Sequence, residues 1–224
     1  MTIKVMYIVS TLQKVGPINQ LLYIIKNLDK SKFYPMIVTL SPEPVDSSYS
    51  LFVDCGIEVH QIGLSRLKGM LFLQKRINNT IDNFKPHIIQ THGFRADRLK
   101  INSGVPKLIV LRTSANQAKP LSVKPIYLGQ KLAQILFNLH LSYIKKCNYV
   151  VVCSESLSED YNKLLGRKFK FIQNGVDTRS FLRPLRKKKE ELRKKFNLLS
   201  KSKIYLSLNN LHPFKNTNFI IEVF

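Results

Sequence analysis

His92 stands just past an apolar run, His87–Thr91 (HIIQT), and Gly93 follows it at once. An imidazole at a strand end can hydrogen-bond a hydroxyl or a phosphate, or move a proton near neutral pH. Gly93 lets the backbone turn closely beside it. Arg112 ends another apolar run, Lys107–Arg112 (KLIVLR), and could pair with an anion at the same edge. Gly16 closes the loop Ser10–Gly16 ahead of Pro17, where a helix N-terminus would offer N–H groups and a positive dipole to a phosphate or carboxylate. Asn174-Gly175 reads as a turn that separates two structural patterns. Lys215, beside Asn216 at a helix start, could hold a phosphate by charge and dipole together. Each residue also has a plainer structural reading. Gly16 can be a turn residue, His92 a surface or core histidine, and Arg112 and Lys215 solvated cations.

The elements that must position these residues alternate short β-branched runs with helical patterns. Strands are expected at Ile3–Val9, Met36–Leu40, Ile57–Ile62, His87–Thr91, Lys107–Arg112, Tyr149–Cys153 and Phe169–Ile172. Ile18, Leu21, Leu22, Ile25 and Leu28 recur at helical spacing after Pro17, which suits a first helical turn because its missing N–H would be unpaired there. Leu67–Phe84 reads as a helix that stops before Lys85-Pro86. Continuously apolar strands separated by helices make βαβ units, and hence a parallel sheet covered on both faces. The expected fold class is therefore α/β, a Rossmann-like domain over residues 1–175. After Gly175 the pattern restarts with a basic helix, Arg186–Phe196, a strand, Ile204–Leu208, and a helix near Lys215. One strand and two helices cannot close a core, so residues 176–224 are expected to be an incomplete second Rossmann-like domain.

Composition narrows the function classes. The 224 residues carry 36 Lys+Arg against 14 Asp+Glu, a net charge of +22, which draws the chain to polyanions or anionic lipid. Ten basic and two acidic residues fall between Arg183 and Lys203. Cys55, Cys147 and Cys153 are odd in number and show no C-x-x-C spacing, which suggests neither a disulfide framework nor a zinc site. His87 and His92 would point to opposite faces of one strand, and no metal site is expected. The N-terminus is too short in apolar residues for a secretory signal, and no run approaches a membrane span, so a cytoplasmic location is expected. G-x-G-x-x-G is absent around Gly16, and no acidic residue ends the second strand to hold a ribose, which disfavours a dinucleotide-dependent oxidoreductase.

Several motifs occur in one order: Gly16; His92-Gly93 with Ala96-Asp97; Val150–Ser154; Ile172–Asp177 with Phe181; then Ser207, Leu211 and Lys215-Asn216. This order resembles the family 4 glycosyltransferases of the GT-B fold, in which two Rossmann-like domains face each other across a cleft. The resemblance implies that the N-terminal domain holds a saccharide or lipid-linked acceptor and the C-terminal domain a nucleotide-sugar donor. It further implies sugar transfer with retention and no metal or other cofactor. By the same resemblance His92 is the cleft histidine and the catalytic candidate. Gly16, Gly93, Arg112, Asn174 and Gly175 would contact substrate, and Lys215 would stabilise the leaving diphosphate.

Departures from the family pattern qualify the activity. Val15 replaces a glycine of the first loop, and Asn209 and Asn210 stand where glycine and arginine are usual. The family's E-x7-E pair would lie beyond Phe224, so the chain reads as truncated and inactive by itself. The role implied is polysaccharide assembly at the cytoplasmic face of the membrane. The competing reading is a basic α/β protein that binds nucleic acid or another polyanion. No helix-turn-helix, RNP aromatic motif or zinc finger supports it. The basic residues instead flank apolar helical stretches, Leu64–Ile77 and Ile126–Lys146, which suits an anionic membrane surface.

Overall fold

A computed structural model of the chain describes residues 2–101, 104–112, 127–181, 185–199, 201–208 and 216–223. The described residues divide into two compact units, Met1–Val176 and Asp177–Phe224.

The first unit is a parallel sheet of seven strands: β1 (Ile3–Val9), β2 (Phe33–Thr39), β3 (Glu58–Gln61), β4 (Ile88–His92), β5 (Lys107–Leu111), β6 (Tyr149–Val152) and β7 (Lys170–Phe171). Their order across the sheet is 3-2-1-4-5-6-7, so the winding reverses between β1 and β4. Between them lie α1 (Gly16–Lys26), α2 (Tyr49–Val53), α3 (Arg66–Phe84), α4 (Phe94–Asp97), α5 (Tyr127–Lys146) and α6 (Glu155–Leu165). This is the Rossmann-like α/β architecture that the alternating pattern predicts.

Period-two alternation in β1 explains the layering. Val5, Tyr7 and Val9 pack with Ile18, Leu21, Leu22 and Ile25 of α1 on one face. Met6 and Ile8 pack with Leu73, Ile77, Ile81 and Phe84 of α3 on the other. A third cluster joins β5 and β6 to Phe137 and Ile144 of α5 and to Leu157 and Tyr161 of α6.

Local signals mark the helix boundaries. Pro17 sits in the first turn of α1. α3 ends at Lys85 in the left-handed region (φ 52°), immediately before Pro86. Strand ends differ from the expected ones by a few residues. β2 starts at Phe33 rather than Met36 and runs through Pro35, which pairs with Val5. β3 begins only opposite Met36, so Pro35 has a strand neighbour on one side alone, the edge condition that proline tolerates. β4 includes His92, and β5 stops one residue short of Arg112. β7 is only two residues long.

The second unit departs further. Arg186–Lys195 and Thr217–Val223 are helices. Ile204–Leu208, expected to be a strand, has no regular structure. Apolar and aromatic residue types favour a strand locally, but a strand forms only as part of a sheet ladder, which local sequence does not specify. No described side chain of this unit is buried. Lys215, Asn209, Asn210 and Leu211 lie outside the described residues.

The packing predicts unequal sensitivity. Ile8 is fully buried beneath α3, whereas Ile24 projects from α1 at 39% exposure. Ile8→Ala should cost about 2–5 kcal/mol. Ile24→Ala should stay within about 1 kcal/mol, since little packing is lost there. Urea denaturation of the two variants checks the ranking, and equal costs would show that the sheet does not anchor the unit.

Candidate functional site

The carboxyl ends of β1, β4 and β5 meet where the winding reverses, the place in open α/β sheets where strand ends diverge and leave a crevice. A cleft of about 580 Å3 opens there. Its walls are mostly apolar, with Val9, Val15, Ile18, Phe94 and Phe137 prominent. Ser10, Thr11, His92, Arg112 and His140 supply polar groups.

The β1–α1 loop is held from outside. Leu12 N–H donates to both Glu43 carboxylate oxygens (3.1 and 2.9 Å), and Ser47 Oγ donates to Glu43 Oε2 at 2.6 Å. Glu43 therefore does lie shortly after β2, where the sequence reading found no carboxylate, but it is engaged in fixing the loop. The first turn of α1 is a poorer anion site than expected. Pro17 has no N–H, and those of Ile18 and Asn19 both donate to Val15 C=O at 3.0 Å. Gly16 has no positive φ, and a side chain there would meet open space. Its backbone does not require glycine.

His92 ends β4 between Val9 of β1 and Val110 of β5. It is only 7% exposed. Gln90, two residues earlier on the same face, donates from Nε2 to His92 Nε2 at 2.7 Å, which leaves the ring proton on Nδ1. That Nδ1 is buried without a hydrogen-bond partner. Burial, and secondarily the Arg112 charge, hold the His92 pKa down to about 3. The ring is neutral at physiological pH. In that form it can donate a hydrogen bond to a hydroxyl or phosphoryl oxygen.

Gly93 caps α4 with φ 87° and ψ 159°, a conformation open to glycine and strained for other residues. Beyond it Asp97 is buried, accepting from Thr91 Oγ1 at 2.6 Å and from His140 Nε2 at 3.1 Å. Lys107 Nζ donates to the carbonyls of Asp97 and Leu99. Phe94 meets the His140 ring edge-on at 5.1 Å. The pKa of the Tyr161 hydroxyl, also at the cleft, is pushed up to about 12, chiefly by burial.

Arg112 lines the cleft and donates through Nη1 to Asn174 Oδ1, while its Nε is buried and unpartnered. Desolvation lowers its pKa. Gly175 C=O accepts from Gln20 of α1 at 2.8 Å. Asn174-Gly175 is thus not a positive-φ turn but irregular chain tied to β5 and α1. Of the residues singled out by sequence, His92, Gly93 and Arg112 line the cleft, Asn174 and Gly175 support its rim, and Gly16 lies between two lining residues. Lys215 is outside the described residues. His140, Gln90 and Glu43 escape sequence reasoning. Asp97 belongs to a motif that the sequence singles out, and its role as the buried acceptor for Thr91 and His140 is seen only in the structure. Among the described residues no group of three or more His, Cys, Asp or Glu gathers to hold a metal ion.

Comparison with known proteins follows the same outline. Residues 16–180 match the sequence profile of Glycosyltransferase Family 4. Comparison with curated protein sequences finds none that matches. Among solved structures, sucrose-phosphate synthase from Thermosynechococcus elongatus superposes with a TM-score of 0.61 at 11% identity, over 89% of this chain and 53% of that one. A glycosyltransferase from Rickettsia africae ESF-5 gives 0.56 at 16% identity, over 89% and 51%. UGT73P12 from Glycyrrhiza uralensis, complexed with glycyrrhetinic acid 3-O-monoglucuronide, gives 0.50 at 13%, over 78% and 49%. The chain spans about half the length of these structures. At such identities they establish the shared GT-B fold.

The buried imidazole predicts a pH signature. His92 titrates near 3 when folded and near 6.5 when unfolded, so the unfolded chain binds the extra proton as pH falls. Stability is therefore full above pH 6.5 and declines toward pH 3. Between pH 7 and 5 this group alone should remove about 2 kcal/mol. Urea titrations of the native chain and His92→Gln should diverge over that window, the variant having the flatter profile; parallel profiles would show that His92 is solvated.

Proposed function

The chain belongs to glycosyltransferase family 4, and on that footing we propose that its first unit is the acceptor-binding half of a transferase that moves a sugar from a nucleotide-sugar to a lipid-linked acceptor. The single observation that carries this reading is the cleft. Its apolar walls suit the hydrocarbon body of an acceptor, and the neutral His92 Nδ1–H and the Arg112 guanidinium suit a hydroxyl and a phosphate at its head. A free oligosaccharide would find few polar partners along Val9, Ile18, Phe94 and Phe137.

In this reading His92 orients the acceptor, Gly93 keeps the backbone close to it, and Arg112, positioned by Asn174, neutralises acceptor phosphate. The nucleotide-sugar is held elsewhere, with Lys215 contributing to the diphosphate. Transfer proceeds with retention and without a metal, in cell-surface polysaccharide assembly at the cytoplasmic membrane face. The net charge of +22 supports residence at an anionic surface. The chain alone does not turn over in this reading, the second unit burying none of its described side chains.

Isothermal titration tests the division of roles. Octyl glucoside below its micellar concentration should bind the chain measurably and glucose should not. Phe137→Ala should weaken octyl glucoside binding about tenfold, the loss of one large apolar contact. UDP-, GDP- and ADP-sugars should give no tight binding. Tight sugar-nucleotide binding by this chain would reverse the assignment.

A further inference from the structure

α3 is amphipathic along most of its length, but its first two turns break the pattern. Leu73, Ile77, Ile81 and Phe84 face the sheet and are buried. On the outward side Leu67, Met70 and Leu71 are 79%, 83% and 77% exposed, with Phe72 half-exposed beside them. Spacings of three and four residues put the first three in one patch. Further along, the exposed positions become Lys75, Arg76, Asn79, Asp82 and Asn83, an ordinary solvated face. Large apolar side chains concentrated at one helix tip signal a covered surface.

The rim of the patch says what covers it. Arg66, Lys68, Lys75 and Arg76 surround it, and positions 64 to 77 contain no Asp or Glu. Among the described residues none of these cations forms an ion pair. Two copies meeting on this patch about a two-fold axis would set like charges against each other. An anionic bilayer complements both features at once.

The patch also lies beside the cleft. α3 starts from the carboxyl edge of the sheet, and Arg95 of α4 joins the two. Its guanidinium donates to Leu64 C=O (3.2 Å) and Ser65 C=O (3.3 Å), and to the Ser41 hydroxyl. Gly69 is what lets it in, because a Cβ there would collide with the Arg95 guanidinium. The preceding residue, Phe94, lines the cleft.

We infer that the first two turns of α3 are the bilayer-contacting surface, with Leu67, Met70 and Leu71 entering the acyl boundary and Arg66, Lys68 and Lys75 meeting lipid phosphates. This rests on the membrane residence proposed above and adds its location. Docked in this way, the cleft opens next to the headgroup layer, and a lipid-borne acceptor reaches His92 without leaving the membrane.

The chain contains no tryptophan, so one introduced residue is a clean reporter. Leu71→Trp should shift its emission to the blue on addition of phosphatidylcholine vesicles containing phosphatidylglycerol, and brominated acyl chains should quench it. Tyr34→Trp, at the opposite edge of the sheet, should do neither. The combined Leu67→Gln, Met70→Gln, Leu71→Gln chain, with unchanged circular dichroism and thermal midpoint, should partition into these vesicles at least about tenfold less than the native chain. If the native chain sediments with anionic vesicles while the emission of the Leu71→Trp chain is unshifted, this location is wrong and membrane residence stands. If the native chain does not sediment with them at all, membrane residence itself fails. A blue shift that grows with protein concentration in the absence of lipid would assign the patch to another copy and overturn the inference.

Discussion

Asp97 is a carboxylate buried at the heart of the first unit, and burial obliges its surroundings to satisfy it. Thr91 donates from β4, His140 from α5, and Lys107 reaches from β5 to the carbonyl of the same residue. The two strands that flank α4 in sequence and the distant α5 are thereby fixed to it, a helix of four residues too short to hold itself by backbone bonds alone. Leaving such a carboxylate without a partner costs about 3–5 kcal/mol, several times the net contribution of an ordinary hydrogen bond. The placement of Gly93 and Phe94, and with them one wall of the cleft, follows from that requirement.

Charge in this protein is separated by depth. The surface is strongly basic, yet the cleft walls are mostly apolar, with the Arg112 guanidinium and a neutral His92 among its polar groups. Desolvation is the larger influence on both His92 and Arg112, and it pulls them the same way, against carrying a proton. His92 yields because its ordinary pKa is near neutral; an arginine begins too high for burial to discharge it. The site consequently offers one fixed cation and one uncharged N–H.

A second, partly buried contact links the cleft to the surface. Arg95 directs its donors at the carbonyls that lead into α3, and the helix accepts a glycine at position 69 to admit it. A glycine inside a helix costs about 1 kcal/mol relative to alanine, which here is offset by charge-assisted bonds to carbonyls near the start of the helix. α4 therefore touches the ligand-facing interior with Phe94 and the start of α3 with Arg95.

What the sequence by itself determined was local and periodic: seven apolar runs that became parallel strands, Pro17 in a first helical turn, and Lys85-Pro86 as a helix stop. These are legible because they depend on neighbours within a few residues, through steric limits on φ and the two repeat periods of side-chain direction. The order of motifs placed His92, Gly93 and Arg112 at one edge for the same reason, since in a parallel sheet every strand end of one kind lies on one side. Tertiary structure alone decided the rest. Arg112 finds Asn174 across 62 positions, Glu43 closes the loop before α1, and Pro35 stays in β2 because β3 starts one residue later. Ile204–Leu208 has strand-like residues and is not a strand, since local residue types do not by themselves assemble a ladder. The neutrality of His92 belongs to the same class. Burial and a neighbouring charge set a pKa, and both are properties of what packs around a residue, not of the residues next to it in the chain.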